Sequence, residues 1–319
     1  MEAVPITFGT CVAIEDDYYL ISAKPDVLDA DQELARLFFF DATLPDGWRY
    51  VDISDFTIAD VCVVDNAIGK QRRYAVLSRE GEIIYYSPGE QFGEKVIGAG
   101  LKSDGPVYGY LNKLKEVDGT LYACGGGGQI YRRSDDGWED IAGPLRREAL
   151  PPLPNIVLNP VTIGDDVADI DGYSPTDMYA AVGRGIYHYD GDQWKRCGLP
   201  FNEIIMAITC APDGFVWACG FNGLILCGNT SNGFSAVQHD RAETHLTKVT
   251  LFKGKLYFAS NQGLLRQRLK EGTTVLEKVP SVPVCDDLST AGEVLLCVGS
   301  KSIHLLQSGV AAELSHPDN

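Results

Sequence analysis

The chain has 319 residues, 45% of them hydrophobic, and a formal net charge of −17. So large an excess of carboxylates argues against a nucleic-acid partner. No run of eighteen apolar residues exists to cross a membrane as a helix. The opening Met1–Thr7 has neither a basic start nor an apolar core, so no secretory leader is expected and the chain reads as cytosolic and of bacterial type.

In chain order, the apolar segments fall into groups of four. Cys11–Ile14, Tyr18–Ser22, Leu37–Phe40 and Trp48–Ile53 are the predicted strands of a first, degenerate unit over 8–54. Between its second and third strands, 26–36 has the composition of a short helix, with Asp26 or Asp29 as cap and Leu28, Leu34 and Leu37 along one side. A second unit, 55–98, carries a basic insertion, Asp65–Arg73. The third, 107–142, contains Leu121–Tyr131, LYACGGGGQIY. Its glycine run is read as a permissive β-turn, because neither a helix nor GK[ST] follows to make a phosphate loop. In the fourth, 161–199, strands at Val167–Ile170, Met178–Val182, Ile186–Tyr189 and Trp194–Cys197 alternate with turns. Those turns are predicted at Asp171-Gly172, Gly183-Arg184-Gly185 and Asp190-Gly191. Units over 202–238, 244–280 and 282–314 repeat the pattern in Val216–Leu226, Leu256–Leu265 and Val294–Leu305.

Where loops are short the units step at roughly 40 residues, the size of one four-stranded propeller blade. The expected fold is therefore all-β: a seven-bladed β-propeller of four-stranded antiparallel blades, forming one domain over 1–319. Six or eight blades are the alternatives, because the ends are the least regular. Every blade is continuous in sequence, so blade seven is expected to pack on blade one without an N-terminal strand completing it. Tyr122, Tyr179, Trp217 and Tyr257, at the starts of second strands, are expected to pack between blades.

The nine cysteines are odd in number and lack C-x-x-C spacing. Cys124, Cys219 and Cys297 recur in second strands, and Cys62, Cys210 and Cys285 in first strands, so they read as small buried hydrophobes. The five histidines show no metal-ligand spacing, and no metal or cofactor is expected.

The third and fourth units share a glycine turn, Ile-Tyr (130–131 and 186–187), Asp-Gly (136–137 and 190–191) and a tryptophan (Trp138 and Trp194). This resembles the blades of photosystem II assembly-factor-type propellers and of the sialidase-like, Asp-box (BNR-like) superfamily. Ser134-Asp135-Asp136-Gly137-Trp138 looks like a shortened Asp box, whose Ser and Asp side chains bond the backbone between third and fourth strands. It is the one such turn visible. No tryptophan precedes an aspartate, so the WD signature is missing. The resemblance implies the fold; a sialidase-type reaction would need converging arginines, a tyrosine nucleophile and acids. Arg36, Arg79, Arg132, Arg184 and Arg266 do not recur at inner-strand positions, and no G-x-S-x-G occurs. Asp60, Asp169 and Asp287 lie near the first-strand positions of propeller metal sites, without a common acid among the repeats. No catalytic set is expected.

In an antiparallel four-stranded blade, the turn from second to third strand and the crossover to the next blade share one edge. The long segments 23–36, 98–106, 143–160 and 238–244 all belong to it, and binding loops gather on such edges of rigid scaffolds. Pro151–Pro160 reads as a rigid connector. Partner contacts are expected from Asp26, Asp29, Asp31, Glu33, Asp104, Arg146, Arg147, Asp165, Asp166, Arg184 and Arg241. The charge favours another protein, basic in character, as partner. An inhibitor fits this set, for instance a cytosolic immunity protein that blocks a toxin. A divergent carbohydrate-active or ligand-binding propeller, and an assembly factor or scaffold, stay open.

Overall fold

The structure is a computed structural model and describes residues 4–28, 32–102, 106–150, 166–270, 272–316 and 318. Blade one comprises β1 (Ile6–Glu15), β2 (Tyr18–Pro25), β3 (Leu34–Asp41) and β4 (Trp48–Ser54). Blade two comprises β5 (Ile58–Val64), β6 (Arg73–Ser78), β7 (Glu82–Ser87) and β8 (Glu90–Lys95). Blade three comprises β9 (Leu111–Val117), β10 (Thr120–Gly125), β11 (Ile130–Ser134) and β12 (Gly137–Asp140). Blade four comprises β13 (Val167–Ser174), β14 (Asp177–Val182), β15 (Gly185–Tyr189) and β16 (Trp194–Arg196). Blade five comprises β17 (Ile205–Cys210), β18 (Val216–Gly220), β19 (Ile225–Asn229) and β20 (Gly233–Ala236). Blade six comprises β21 (Leu246–Phe252), β22 (Lys255–Ser260), β23 (Leu265–Lys270) and β24 (Thr273–Lys278). Blade seven comprises β25 (Asp287–Ala291), β26 (Val294–Gly299), β27 (Ser302–Gln307) and β28 (Val310–Glu313). Each sheet is built from four consecutive strands, and the fold is a seven-bladed β-propeller.

Second strands read as near-continuous apolar runs because both of their faces are covered: β10, β14, β22 and β26 are buried almost throughout. Fourth strands are largely exposed, as in β4, β12 and β28. Tyr122, Tyr179 and Tyr257 are buried as expected, whereas Trp217 is only half-buried. All nine cysteines are free thiols, six of them buried.

Met1–Val61 with Gln238–Asn319 forms one compact unit, and Cys62–Val237 another. In the first, β1 pairs with β2. Its Ile6, Phe8, Cys11 and Ala13 share a buried cluster with Val294, Leu296, Val298 and Ile303 of blade seven. Blade seven thus packs on blade one without exchanging a strand. The segment after β28 reinforces this seam: Trp48 Nε1 donates to Ser315 O at 3.1 Å. His316 lies among the Phe8, Phe38 and Trp48 rings, with centroids 5.4, 4.3 and 4.4 Å away. Burial pushes its imidazole down to about 4, so it packs there as a neutral ring.

Two expectations are corrected. Leu34–Arg36 do not end a helix; they open β3, and burial alternates from Leu34 to Leu37 with the period of a strand. Asp171-Gly172 is not a turn but lies inside β13, and the chain reverses between Ser174 and Asp177. The glycine is required by close approach, since a Cβ there would sit 2.9 Å from Asp177 O.

Candidate functional site

In the unit Cys62–Val237, the predicted loop edge is organised by the glycine run. Gly126–Gly128 makes one 3-10 turn, with Gly127 and Gly128 in the left-handed region at φ 61° and 71°. Backbone crosses it on two sides. A Cβ on Gly125 would lie 2.3 Å from Tyr110 O, and one on Gly128 would lie 1.8 Å from Leu145 O. No side chain fits, which accounts for the run without any ligand. Gly126 N–H donates to Tyr110 O at 2.8 Å, and Arg147 N–H to Gly127 O at 3.1 Å.

The expected contact residues here mostly hold this turn. Asp166 Oδ1 accepts Gly127 N–H at 3.0 Å, and its carbonyl accepts Gly183 N–H at 3.2 Å. Arg146 lies between the Tyr108 and Tyr131 rings, 4.6 and 5.0 Å from their centroids, and pairs with Asp140 at 2.5 Å. Arg147 is half-buried beside it. Arg184 is exposed and donates to Asn202 O. The structure therefore brings Arg146, Arg147 and Asp166 around Gly127, with Arg184 linked through Gly183.

In the other unit the candidates are not gathered. Asp26 accepts from Thr7 Oγ1 at 2.6 Å and from Lys301 Nζ at 2.5 Å, and these hydrogen bonds, Lys301 first, hold its carboxyl below the usual range. The carbonyl of Glu33 accepts Asp55 N–H at 2.7 Å. Arg241 donates to Leu276 O at 2.7 Å and to Gln262 Oε1 at 2.9 Å, tying its crossover to β24. Asp29, Asp31, Asp104 and Asp165 lie outside the described residues, as does Pro151–Pro160.

The first-strand acids act as clamps between neighbouring blades. Asp169 Oδ2 accepts Ile208 N–H at 3.1 Å, and Asp171 Oδ2 accepts Cys210 N–H at 2.9 Å while Oδ1 pairs with Lys115 at 3.4 Å. In the first unit, Asp287 Oδ2 accepts Cys11 N–H at 2.9 Å, and Oδ1 pairs with Lys248 at 3.1 Å. Thr10 Oγ1 lies 3.0 Å from Asp60 and 2.9 Å from Asp287.

Three of the five arginines considered for a sialidase-type site are cross-strand partners. Arg36 faces Asp52, Arg132 faces Glu139 and Arg266 faces Glu277, each directly opposite in register, with contacts of 2.7, 2.7 and 2.6 Å. Third-strand arginine against fourth-strand carboxylate is a repeated sheet pairing.

A cavity of about 410 Å³ lies on the flank of blades two and three. Sequence reading singled out Asp135, Asp136 and Trp138 there, but not Glu94, Arg133 or Ile97. Arg133 grips Glu94 with three contacts of 2.6–3.1 Å, and Trp138 Nε1 and Tyr85 OH each donate to Glu94 Oε2 at 3.2 Å. Burial pushes the Glu94 carboxyl up, but the hydrogen bond and charge of Arg133 outweigh it and hold it below the usual range. Neither carboxylate of the expected Asp box bonds the turn; the Ser134 hydroxyl alone does so, donating to Gly137 O at 3.1 Å. Nor is that turn the one example. Asp190 Oδ1 accepts Asp192 and Gln193 N–H at 3.1 and 3.0 Å, and Asn229 Oδ1 accepts Ser231 and Asn232 N–H at 3.1 and 2.9 Å.

No protein-family model matches the chain. Over 200 residues it is 33% identical to the immune protein Tsi7 of Pseudomonas aeruginosa, a match spanning 61% of this chain and 61% of Tsi7. Among solved structures it is similar to the WD40 β-propeller domain of Doa1, with TM-score 0.65 and 13% identity over 96% of this chain and 94% of that one. It is also similar to YCF48 bound to a D1 peptide, with TM-score 0.62 and 16% identity over 95% and 93%. A catalytically inactive virginiamycin B lyase from Staphylococcus aureus, with quinupristin, gives TM-score 0.64 and 12% identity over 95% of each chain. At these identities the three solved structures carry the fold alone.

Proposed function

We propose that this chain is an immunity protein: a non-enzymatic, cytosolic bacterial propeller that binds a toxin and neutralises it. The observation that carries the reading is the 33% identity to the immune protein Tsi7 over 200 residues. The fold suits it, because rigid blades present loops to a macromolecular partner at little ordering cost. The pairing of Arg36, Arg132 and Arg266 with opposing carboxylates supports a binding role over a sialidase-type reaction. The net charge of −17 steers a basic partner toward the chain.

The test is rescue from the protein encoded beside its gene. That protein, expressed alone in a bacterial host, is expected to stop growth. Co-expression of this chain restores growth, and the two co-elute as a stoichiometric complex whose association slows about tenfold between low and high salt. A neighbour that is harmless, or that stays toxic with this chain in excess, overturns the reading.

A further inference from the structure

We infer that the cavity on the flank of blades two and three is a docking site for an arginine or lysine side chain of a protein partner. Two cations border it, and each already has a counter-charge: Arg133 has Glu94 at 2.6 Å, and Lys95 has Glu82 at 3.3 Å. Asp135 and Asp136 stand exposed at its rim and make no hydrogen bond or ion pair among the described residues. The unbalanced charge is therefore negative. The rest of the lining is Gly137, the Trp138 indole and Ile97, which is 87% exposed. An aromatic face, an aliphatic lip and two unpaired carboxylates complement a cation on a hydrocarbon stem. The indole attracts the charge, the lip covers the stem, and the carboxylates pair with the head. A volume of about 410 Å³ holds one such side chain with accompanying water. At the equivalent turn of blade four, Asp190 bonds its own backbone and Lys195. The two adjacent carboxylates of blade three have no such role and remain available to a cation. That the side chain belongs to a protein rests on the function proposed above.

The probe is acetyl-Gly-Arg-Gly-amide, titrated into the full chain while the four indole N–H resonances are followed, with Trp138 assigned through Trp138→Phe. A saturable shift confined to Trp138 is expected, with a dissociation constant of about 1–10 mM. It weakens about fivefold or more in Asp135→Asn/Asp136→Asn, a variant that removes no bond from the turn and is expected to keep the wild-type Tm. Acetyl-Gly-Glu-Gly-amide leaves the resonance in place. Equal shifts with both peptides, no shift with either, or an undiminished shift in the double variant overturns the site. A second arm uses the toxin from the rescue experiment: Ile97→Asp and the double variant are expected to weaken that complex about tenfold, and an undiminished affinity in both overturns the site. Peptide binding without rescue sinks the immunity reading and leaves the site standing. Rescue with unaffected variants and no peptide shift does the reverse.

Discussion

Blades three and four each join their third and fourth strands through an Asp-Gly turn that leads into a tryptophan. In blade four, Asp190 folds its carboxylate onto the N–H groups of Asp192 and Gln193 and meets Lys195 at 2.6 Å. Trp194 is 4% exposed, and its Nε1 donates to Ile141 O at 2.9 Å within the core of blades three and four. In blade three the corresponding carboxylates are exposed and make no bond to the turn backbone, and Trp138 is half-buried beside a cavity, bonded to Glu94. One copy closes on itself and the other stays open. Polar groups whose bonds are complete hold a fold together; exposed ones with none are where a partner adds something.

The widest separation between the two turns is expected at their tryptophans. Trp194→Ala removes a buried indole and leaves Ile141 O without its donor, for a loss of about 3–5 kcal/mol in denaturant unfolding. Trp138→Ala removes a half-buried ring and costs about 1 kcal/mol, while its effect on partner binding is the larger one. Similar losses for the two variants would collapse the distinction between a closed turn and an open one.

The next effect concerns an aspartate in a third setting. Asp171 is 8% exposed and joins three first strands, through Lys115 at 3.4 Å and Cys210 N–H at 2.9 Å. Asp171→Ala strands the half-buried Cys210 N–H and is expected to cost about 1–2 kcal/mol. Asp171→Asn retains an acceptor and is expected to recover about half of that. A neutral Asp171→Ala would mean that packing alone joins these blades.

These aspartates also mark how far the sequence was legible. Strands and blades were readable because alternation and repeat spacing are local properties, and blade seven meeting blade one followed from each blade being continuous. Asp171-Gly172 misled because the same two letters serve a turn or a strand; the deciding partner, Cys210, is 39 residues away. The 26–36 segment misled because helix-like composition was outweighed by pairing of Leu34–Arg36 with Asp52–Ser54. The Asp-box resemblance located the blade-three turn but not the use of its carboxylates, and it overlooked the backbone capping by Asp190, whose turn was expected, and by Asn229. Side-chain capping depends on backbone dihedrals that the letters do not specify. Glu94 and Arg133, brought together from 39 residues apart, left no sequence signal at all. Most of the expected contact residues were recognisable as loop residues, yet Asp26, Arg146, Asp166 and Arg241 turn out to secure the loops that carry them.

The smallest effect separates charge from geometry within the closed turn. The hydrogen bond from Lys195, then those from Gln193 and Asp192, hold the Asp190 carboxyl well below the usual carboxylate range. A carboxyl whose folded value is depressed stabilises the fold fully above its unfolded value near 3.8; that contribution declines as pH falls below 3.8 and is lost only as pH passes through the depressed folded value. Asp190→Asn keeps an oxygen for the two N–H groups but loses the charge facing Lys195. It is expected to lower Tm at pH 7 by about 1–2 °C, with the gap to wild type starting to narrow as pH drops below about 4 and narrowing further toward the depressed folded value. Asp135→Asn, which breaks no bond, is expected to leave Tm at pH 7 unchanged or slightly raised, because one of two adjacent like charges is gone. Were the Asp190→Asn gap not to narrow at all below about pH 4, the turn would depend on the shape of the aspartate and not on its charge; the closed and open turns would then differ in backbone geometry alone.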